Sequence, residues 1–497
     1  MRVRISPSVD RGFVISSLTY EPGFVMAAPV ISVSQMRQWE QATWAAGQTE
    51  QAVISRVGQI VAARALELTR PGALILILAG QGHNGDDARC AQPHLATRDV
   101  RLLNVGNPGA DLAELCRQLA SSPALIIDGL FGIGLNRPLN ADWITFIHQV
   151  NQAGIPVLAV DVPSGLNAET GQPEGVALNA EVTLTLGAPK RGLLEPSSYP
   201  YVGRLEVAAE IGLAPCPLKS DLQWTLSEDF KSYPPRRRVD GHKGTYGHLT
   251  LIAGSLGYHG AAVLAARGAL RAQPGLVTLF TSEKVYGPVA AQLQAVMVHP
   301  WQPGKPLPDK CSAVLFGPGL AAGDLPSDLK SELRQFWQEL PLPVVVDASA
   351  LDWLPASSKR LGALRLITPH PGEAARMLQT TVAAVQKDRP AAVRALSKRF
   401  GGCWVALKGH QTIMGRSGGD LFVNSSGNPF LAQGGSGDIL AGYLGGLLAQ
   451  PPLQTDPLRA IRYGVWQHGA TADRLAAVRP NWTMEDLAVA LADLKPR

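Results

Sequence analysis

Gly72-Ala73-Leu74-Ile75-Leu76-Ile77-Leu78-Ala79 runs directly into Gly80-Gln81-Gly82-His83-Asn84-Gly85-Asp86-Asp87. The apolar run does not alternate, as a strand with one wet face would. It reads as a strand of a parallel sheet, covered on both faces. The glycine-rich turn behind it is where such a strand hands over to a helix, and its backbone N–H groups can approach an anion there.

Working outward, the same alternation repeats. Residues 35–68 read as mainly helix, with Ser34 as the cap. Strands are predicted at 100–105, 124–127 and 156–160, with further segments at 181–186 and 204–209. The stretch 213–235 contains Pro215, Pro217, Pro234 and Pro235 and reads as a linker. Strands resume at 249–253, 275–281, 313–316, 343–346, 365–367 and 404–407, followed by helix from Gly437 onward. This is the pattern of two separate α/β units. The chain has 497 residues, 46% hydrophobic and 17% charged, enough for two sizeable cores.

Composition excludes several classes. The net charge of +5 leaves no basic footprint for nucleic acid, and Arg236-Arg237-Arg238 is the longest basic run. There is no apolar run of membrane-spanning length and no signal-peptide pattern, so neither a membrane nor a nucleic-acid partner is expected. The five cysteines (Cys90, Cys116, Cys216, Cys311, Cys403) are scattered and read as buried packing residues in a reducing compartment, hence a cytoplasmic protein. Residues 1–27 read as an N-terminal extension, with Met26 as an alternative start.

In open α/β sheets ligands bind beyond the carboxyl ends of the strands. In the first half those ends read Gly80 to Asp87, then Asp128-Gly129-Leu-Phe-Gly132-Ile-Gly134-Leu135, then Asp161-Val-Pro163-Ser164-Gly165-Leu-Asn167. A carboxylate or amide closes each strand inside a glycine-rich loop. These three loops, with Ala188-Pro189-Lys190, resemble the motifs of the NAD(P)H-hydrate epimerase family over residues 28–215. The resemblance implies a Rossmann-like three-layer sandwich that interconverts the R and S epimers of hydrated NADH and NADPH. It implies a potassium ion on Asn84, Asp128 and Ser164. It implies a hydrate held by His83, Asn84, Gly85, Asp86, Asp87, Gly132, Ile133, Gly134, Leu135, Asn136, Arg137, Pro138 and Asp161. Asp161 would move the proton, with Lys190 beside it. The sequence departs from the motifs at His83, Asp86, Ala88 and Asn167, and Ser55 stands where the family's first-helix glutamate is expected.

The second half carries His242-Lys243-Gly244-Thr-Tyr-Gly247-His248, Gly254-Ser255-Leu-Gly257-Tyr258, Gly317-Pro318-Gly319, Thr368-Pro-His370-Pro371-Gly372-Glu373, Lys408-Gly409-His410-Gln411-Thr412 and Asn428 to Asp438. Gly434-Gly435-Ser436-Gly437 presents successive N–H groups at a helix start, and Asp438 can take the proton of a hydroxyl under phosphoryl attack. In order, these segments resemble the nucleotide-dependent NAD(P)H-hydrate dehydratase family, of ribokinase-like α/β/α fold. The resemblance implies ADP and magnesium as cofactors, Asp438 as base, Gly435, Ser436 and Gly437 on the transferring phosphate, and Lys408, Gly409, His410, Gln411 and Thr412 on the nucleotide. Ala262, Gly319, His370 and Asp438 would line the hydrate pocket. His410 and Gln411 replace smaller residues, and Asp347-Ala348-Ser349 departs at its last position. Glu373 also reads as a helix-start carboxylate and His468 as a packing histidine.

The expected domains are thus an epimerase unit at 28–215, a linker at 216–235 and a dehydratase unit at 236–497, expected as a homo-oligomer. Two alternatives stay open at this point: a ribokinase-class kinase of another small molecule, and a non-catalytic ligand-binding N-terminal unit.

Overall fold

The computed structural model describes residues 27–323, 325–357 and 359–493. Residues 1–26, on which the reading of an extension and an alternative start falls, lie outside the described residues. Among the described residues no helix is long and apolar enough to cross a membrane.

The first unit is a parallel sheet of six strands, in spatial order Asp99–Asn104, Leu74–Ala79, Leu125–Gly129, Val157–Val160, Val182–Leu186 and Arg204–Ala208. Leu74–Ala79 shows why the run had to be apolar throughout. Ile75, Ile77 and Ala79 enter one core, against the helix Glu50–Leu68, and Leu76 and Leu78 enter the other, against Leu115, Phe146 and Ile147. Side chains alternate faces along a strand, and both faces here are covered.

Helix boundaries differ slightly from the sequence reading. The first helix is Val33–Ala45, capped by Ser32 and not Ser34. Ser32 accepts from the Gln35 N–H while the Gln35 side chain accepts from the Ser32 N–H. A second helix, Glu50–Leu68, follows a break at Gly47, where φ is +90°.

The second unit has an eleven-stranded sheet. Its parallel centre runs in the order Trp404–Leu407, Arg365–Ile367, Val344–Val346, Ala313–Phe316, His248–Ile252, Leu276–Thr281 and Met297–Pro300. Antiparallel strands Ile413–Gly415 and Leu421–Val423 extend one side. The segment read as a linker is partly structured. Leu222–Trp224 forms a strand parallel to Leu421–Val423, and Ala28–Pro29 pairs antiparallel with it at the edge of the sheet. Ala28–Pro29 thus lies on the second unit's sheet although it precedes the first unit in sequence. The strand was not legible because Pro215 and Pro217 precede it and only three residues make it.

The two units share a core. Val162, Leu166, Leu193, Val202 and Leu205 of the first pack in one cluster with Phe316, Trp337, Val346 and Ile367 of the second. Of the cysteines only Cys403 is buried; Cys90, Cys216 and Cys311 are half-buried and Cys116 is exposed, so the expectation of five packing cysteines holds for one.

Candidate active sites in the two units

In each sheet the site sits where the strand order reverses. In the first unit, the chain leaves Leu74–Ala79 for one neighbour and returns to the other side at Leu125–Gly129. The crevice between their carboxyl ends is the place for a ligand. A cavity of about 550 Å³ opens there. Its walls include His83, Asn84, Asp87, Gly132, Ile133, Gly134, Leu135, Arg137 and Asp161, all among the residues expected to hold the hydrate.

Gly85, Asp86, Asn136 and Pro138 are not part of that wall. Gly85 is a packing glycine: a Cβ there would come within 2.1 Å of the Gly80 carbonyl oxygen. Asp86 pairs with Arg89 at 2.8 Å, yet its charge still adds to the repulsion on Asp87. Ala88 sits inside the helix His83–Ala91 and needs no positive φ, and His83 pairs with Glu50 at 3.1 Å. Asn167 holds its own turn, accepting from the Glu169 and Thr170 N–H groups.

Asp161 and Lys190 meet as an ion pair. The Lys190 ammonium is fully buried and donates to Asp161 Oδ1, to Thr185 Oγ1 at 3.1 Å and to the Leu186 carbonyl at 2.8 Å. Asp161 Oδ1 also accepts from the Leu186 N–H at 3.0 Å. Its backbone has φ +64°, a conformation costing an L-residue about 1 kcal/mol or more. The strain turns its carboxylate onto the lysine immediately after the strand ends.

The first-helix carboxylate is not at position 55. Ser55 is exposed, whereas Glu40 and Glu50 line the cavity. Burial raises the Glu40 carboxyl, while nearby Lys190 pulls it down. Glu40 lies one helical turn beyond the buried Met36, the signal that could have located it. Asp87 is pushed up to about 8 by burial, with Asp161, Asp86, Glu40 and Glu50 adding repulsion. It is therefore a protonated carboxylic acid at neutral pH.

Beneath the cavity Asp128 is completely buried. Oδ1 accepts from the Ser164 hydroxyl at 2.6 Å and the Leu130 N–H at 3.1 Å; Oδ2 accepts from the Ser164 N–H at 2.8 Å. These partners are neutral, and burial raises Asp128 to about 6. Asn84 donates to the Phe131 carbonyl at 2.9 Å, and the Phe131 N–H donates to Ser164 Oγ at 2.8 Å. Asn84, Asp128 and Ser164 are thus joined through Phe131 in one hydrogen-bonded network around a buried carboxylate with neutral partners. That donor set fits a monovalent cation.

In the second unit the reversal lies between His248–Ile252 and Ala313–Phe316. Gly319, at φ +67°, packs onto the Gly254–Ala261 loop, and Ser255 Oγ donates to its carbonyl at 2.6 Å. Ala262 is fully buried beneath this loop in the core, whereas His370 is exposed. His370 Nδ1 accepts from the Gly372 and Glu373 N–H groups, and Glu373 accepts from the His370 N–H. Glu373 is both a cap and a neighbour of Lys408, at 3.9 Å.

The helix Ser436–Leu448 starts at Gly435, whose φ is +97°, and no side chain caps it. The Ser436 N–H donates to the Gln433 carbonyl at 3.3 Å, and no side chain caps the N–H groups that follow, which leaves them to an anion. Asp438 stands in the first turn. Burial raises its carboxyl to about 6, Asp347 adds to this and Lys408 opposes it. Lys408 Nζ holds Asp347 Oδ1 at 2.6 Å, and Thr368 Oγ1 donates to the same oxygen at 2.7 Å. A Cβ on Gly437 would lie 3.2 Å from Lys408 Nζ, so the glycine leaves the approach to the ammonium open. His468 is buried, held neutral with its pKa lowered to about 4, and hydrogen-bonded to the backbone of Ser436. It is a packing histidine that touches the anion loop.

Residues 249–497 match the sequence model of the NAD(P)H-hydrate dehydratase family, and residues 103–192 match that of the YjeF-related protein N-terminus. A bifunctional NAD(P)H-hydrate repair enzyme of Gloeobacter violaceus is 34% identical over 91% of this chain and 94% of that protein. The chain belongs to the bifunctional NAD(P)H-hydrate repair family. Another bifunctional NAD(P)H-hydrate repair enzyme, from Escherichia coli, is 33% identical, with 81% of each chain covered. Among solved structures, an ADP/ATP-dependent NAD(P)H-hydrate dehydratase from Bacillus subtilis, co-crystallised with ATP and Mg2+, is 30% identical. It covers 54% of this chain and 95% of that one, with a TM-score of 0.48. For a repair-family protein the two strand-end sites have distinct chemistry. One is a cavity lined by Asp87 and Asp161 beside a buried lysine ammonium; the other is an uncapped helix start with Asp438 in its first turn.

Proposed function

We propose that this chain repairs hydrated NADH and NADPH in two steps, epimerising the R and S hydrates in residues 28–215 and dehydrating the S hydrate with ADP in residues 236–497. The observation that carries the reading is Asp438 in the first turn of an uncapped helix, next to Lys408 and Asp347. A carboxylate there can take the proton of the hydrate's hydroxyl as it attacks the β-phosphorus of ADP. Gly435, Ser436 and Gly437 would offer N–H groups to the transferring phosphoryl group. AMP leaves, the phosphorylated hydroxyl becomes a leaving group, and elimination of phosphate restores the dihydronicotinamide. Lys408 to Thr412 would hold the nucleotide. Magnesium would come in on the nucleotide's phosphates, with Asp347 as the carboxylate nearest Asp438 in reach of it.

In the first unit, Asp161 and the protonated Asp87 on one cavity supply a base and an acid for epimerisation. Potassium on Asn84, Asp128 and Ser164 would supply fixed positive charge near the ligand's diphosphate. An assay of the full chain on mixed R/S hydrates tests both halves: the expected result is complete recovery of NADH absorbance that requires ADP. Recovery stopping at the S fraction would sink the epimerase half, and recovery without nucleotide would sink the dehydratase half.

A further inference from the structure

The first unit reaches over to the two loops that flank the proposed nucleotide site. Tyr199, in the short helical turn Tyr199–Val202, meets the His410 ring edge-on, with centroids 4.5 Å apart and planes at 65°. His410 belongs to the loop Lys408–Thr412. Arg389 also holds that loop: its guanidinium donates to the His410 carbonyl and, at 3.2 Å, to the Leu407 carbonyl, and it also meets the Tyr199 hydroxyl.

Five residues after Tyr199 there is a second contact. Arg204 opens the last strand of the first unit and pairs with Asp473 at 3.1 Å. Asp473 in turn accepts from the Gly427 N–H at 2.9 Å and from Asn428 Nδ2 at 3.0 Å. Those residues begin the segment that ends at Gly435–Asp438. Both loops contain glycines at positive φ (Gly409 +128°, Gly427 +108°, Gly435 +97°), so neither is stiffened by its own backbone. The segment that touches them is anchored, because Val202 and Leu205 are buried in the shared core.

We infer that Tyr199 and Arg204 are positioning residues for adenine-nucleotide binding in the other unit. They touch neither the nucleotide nor the hydrate. They hold two glycine-containing loops in place, and ordering such loops would otherwise be charged against binding. The inference rests on the reading that the second unit uses ADP, and it makes the first unit part of the second unit's nucleotide site whatever its own catalysis.

The test is steady-state dehydration of S hydrate by the full chain at varied ADP, with melting curves for every variant. Tyr199→Ala and Arg204→Ala should each raise the KM for ADP about three- to tenfold, the range of one lost aromatic or charge contact. Turnover and the KM for hydrate should stay within about twofold, a split that general loosening does not produce. Tyr199→Phe keeps the ring on His410 and Arg204→Lys keeps the charge on Asp473, and both should recover most of the affinity. If an alanine variant does not fold, Arg204→Gln removes the charge pair while leaving both Asp473 oxygens on Gly427 and Asn428, and should raise the KM for ADP similarly. Unchanged ADP affinity in folded variants overturns the inference. So does a joint fall of turnover and both affinities with melting temperature. A wild-type chain indifferent to adenine nucleotide overturns the functional reading itself, and the inference with it.

Discussion

The Lys190 ammonium and the Asp161 carboxylate form an ion pair in which the lysine is sealed from solvent and the aspartate sits at the wall of the cavity. Thr185 Oγ1 and the Leu186 carbonyl satisfy the lysine's remaining donors, so the charge is paid for locally. Removing one partner leaves the other buried and unpaired, at a cost of about 3–5 kcal/mol. Lys190→Met should therefore lower the melting temperature sharply and abolish epimerisation. Asp161→Asn should abolish epimerisation too, while conversion of pure S hydrate by the second unit persists in whatever fraction folds. Epimerisation by Asp161→Asn at wild-type rate would remove Asp161 from its role.

Asp438 predicts a pH profile. Its carboxyl is raised to about 6 by burial first and by Asp347 second, and a base acts in its ionised form. Dehydration turnover should be level above about pH 7 and fall about tenfold per unit below about pH 6. Asp438→Asn should lose about two to four orders of magnitude in dehydration while epimerisation continues. Rates measured on separated R and S hydrates distinguish the two activities.

Asp87 predicts a stability effect of opposite sense to the usual carboxylate. Its folded value, about 8, lies above the ordinary one. The folded chain thus keeps a proton that the unfolded chain releases near pH 4. The stability it brings is fully present below that and is lost as pH rises through about 8. Asp87→Asn keeps the shape and the neutral state, so its melting temperature should exceed that of the wild type increasingly from about pH 4 to 8 and by a constant margin above. The same substitution removes the acid proton and should slow epimerisation. Parallel melting curves across that range would contradict the raised value.

Asp128 predicts a response to cations. Its partners, Ser164 and Leu130, are neutral, so a bound potassium ion would be its counter-charge. Potassium should raise the wild-type melting temperature in proportion to its binding. Asp128→Asn should lose that increment and the potassium dependence of epimerisation together. Equal stabilisation of wild type and variant would remove the ion from this cluster.

Much of this was legible locally. Each strand-end motif is contiguous, and backbone geometry confines it: a strand that stops, a glycine that turns, a polar residue at the next helix start. Asp128, Asp161, Lys408 and Asp438 could be named from such segments. What could not be read were residues whose roles depend on distance in space. Glu40 joins the cavity through the pitch of a helix packed against another strand's end. Asp86 lies off the cavity wall and pairs with Arg89, one helical turn away. Leu222–Trp224 became a strand only because Leu421–Val423 offered an edge on one side and Ala28–Pro29 completed it on the other.

The sequence by itself determined the parallel strands of both sheets and the glycine-rich loops behind them, since continuous apolar runs and glycine turns act within a few residues. The tertiary structure alone decided the protonation of Asp87 and Asp438, the pairing of Lys190, and the contact of Tyr199 and Arg204 with the far unit's loops. Burial and Coulomb interaction depend on what surrounds a group, and those neighbours come from segments far apart in the chain.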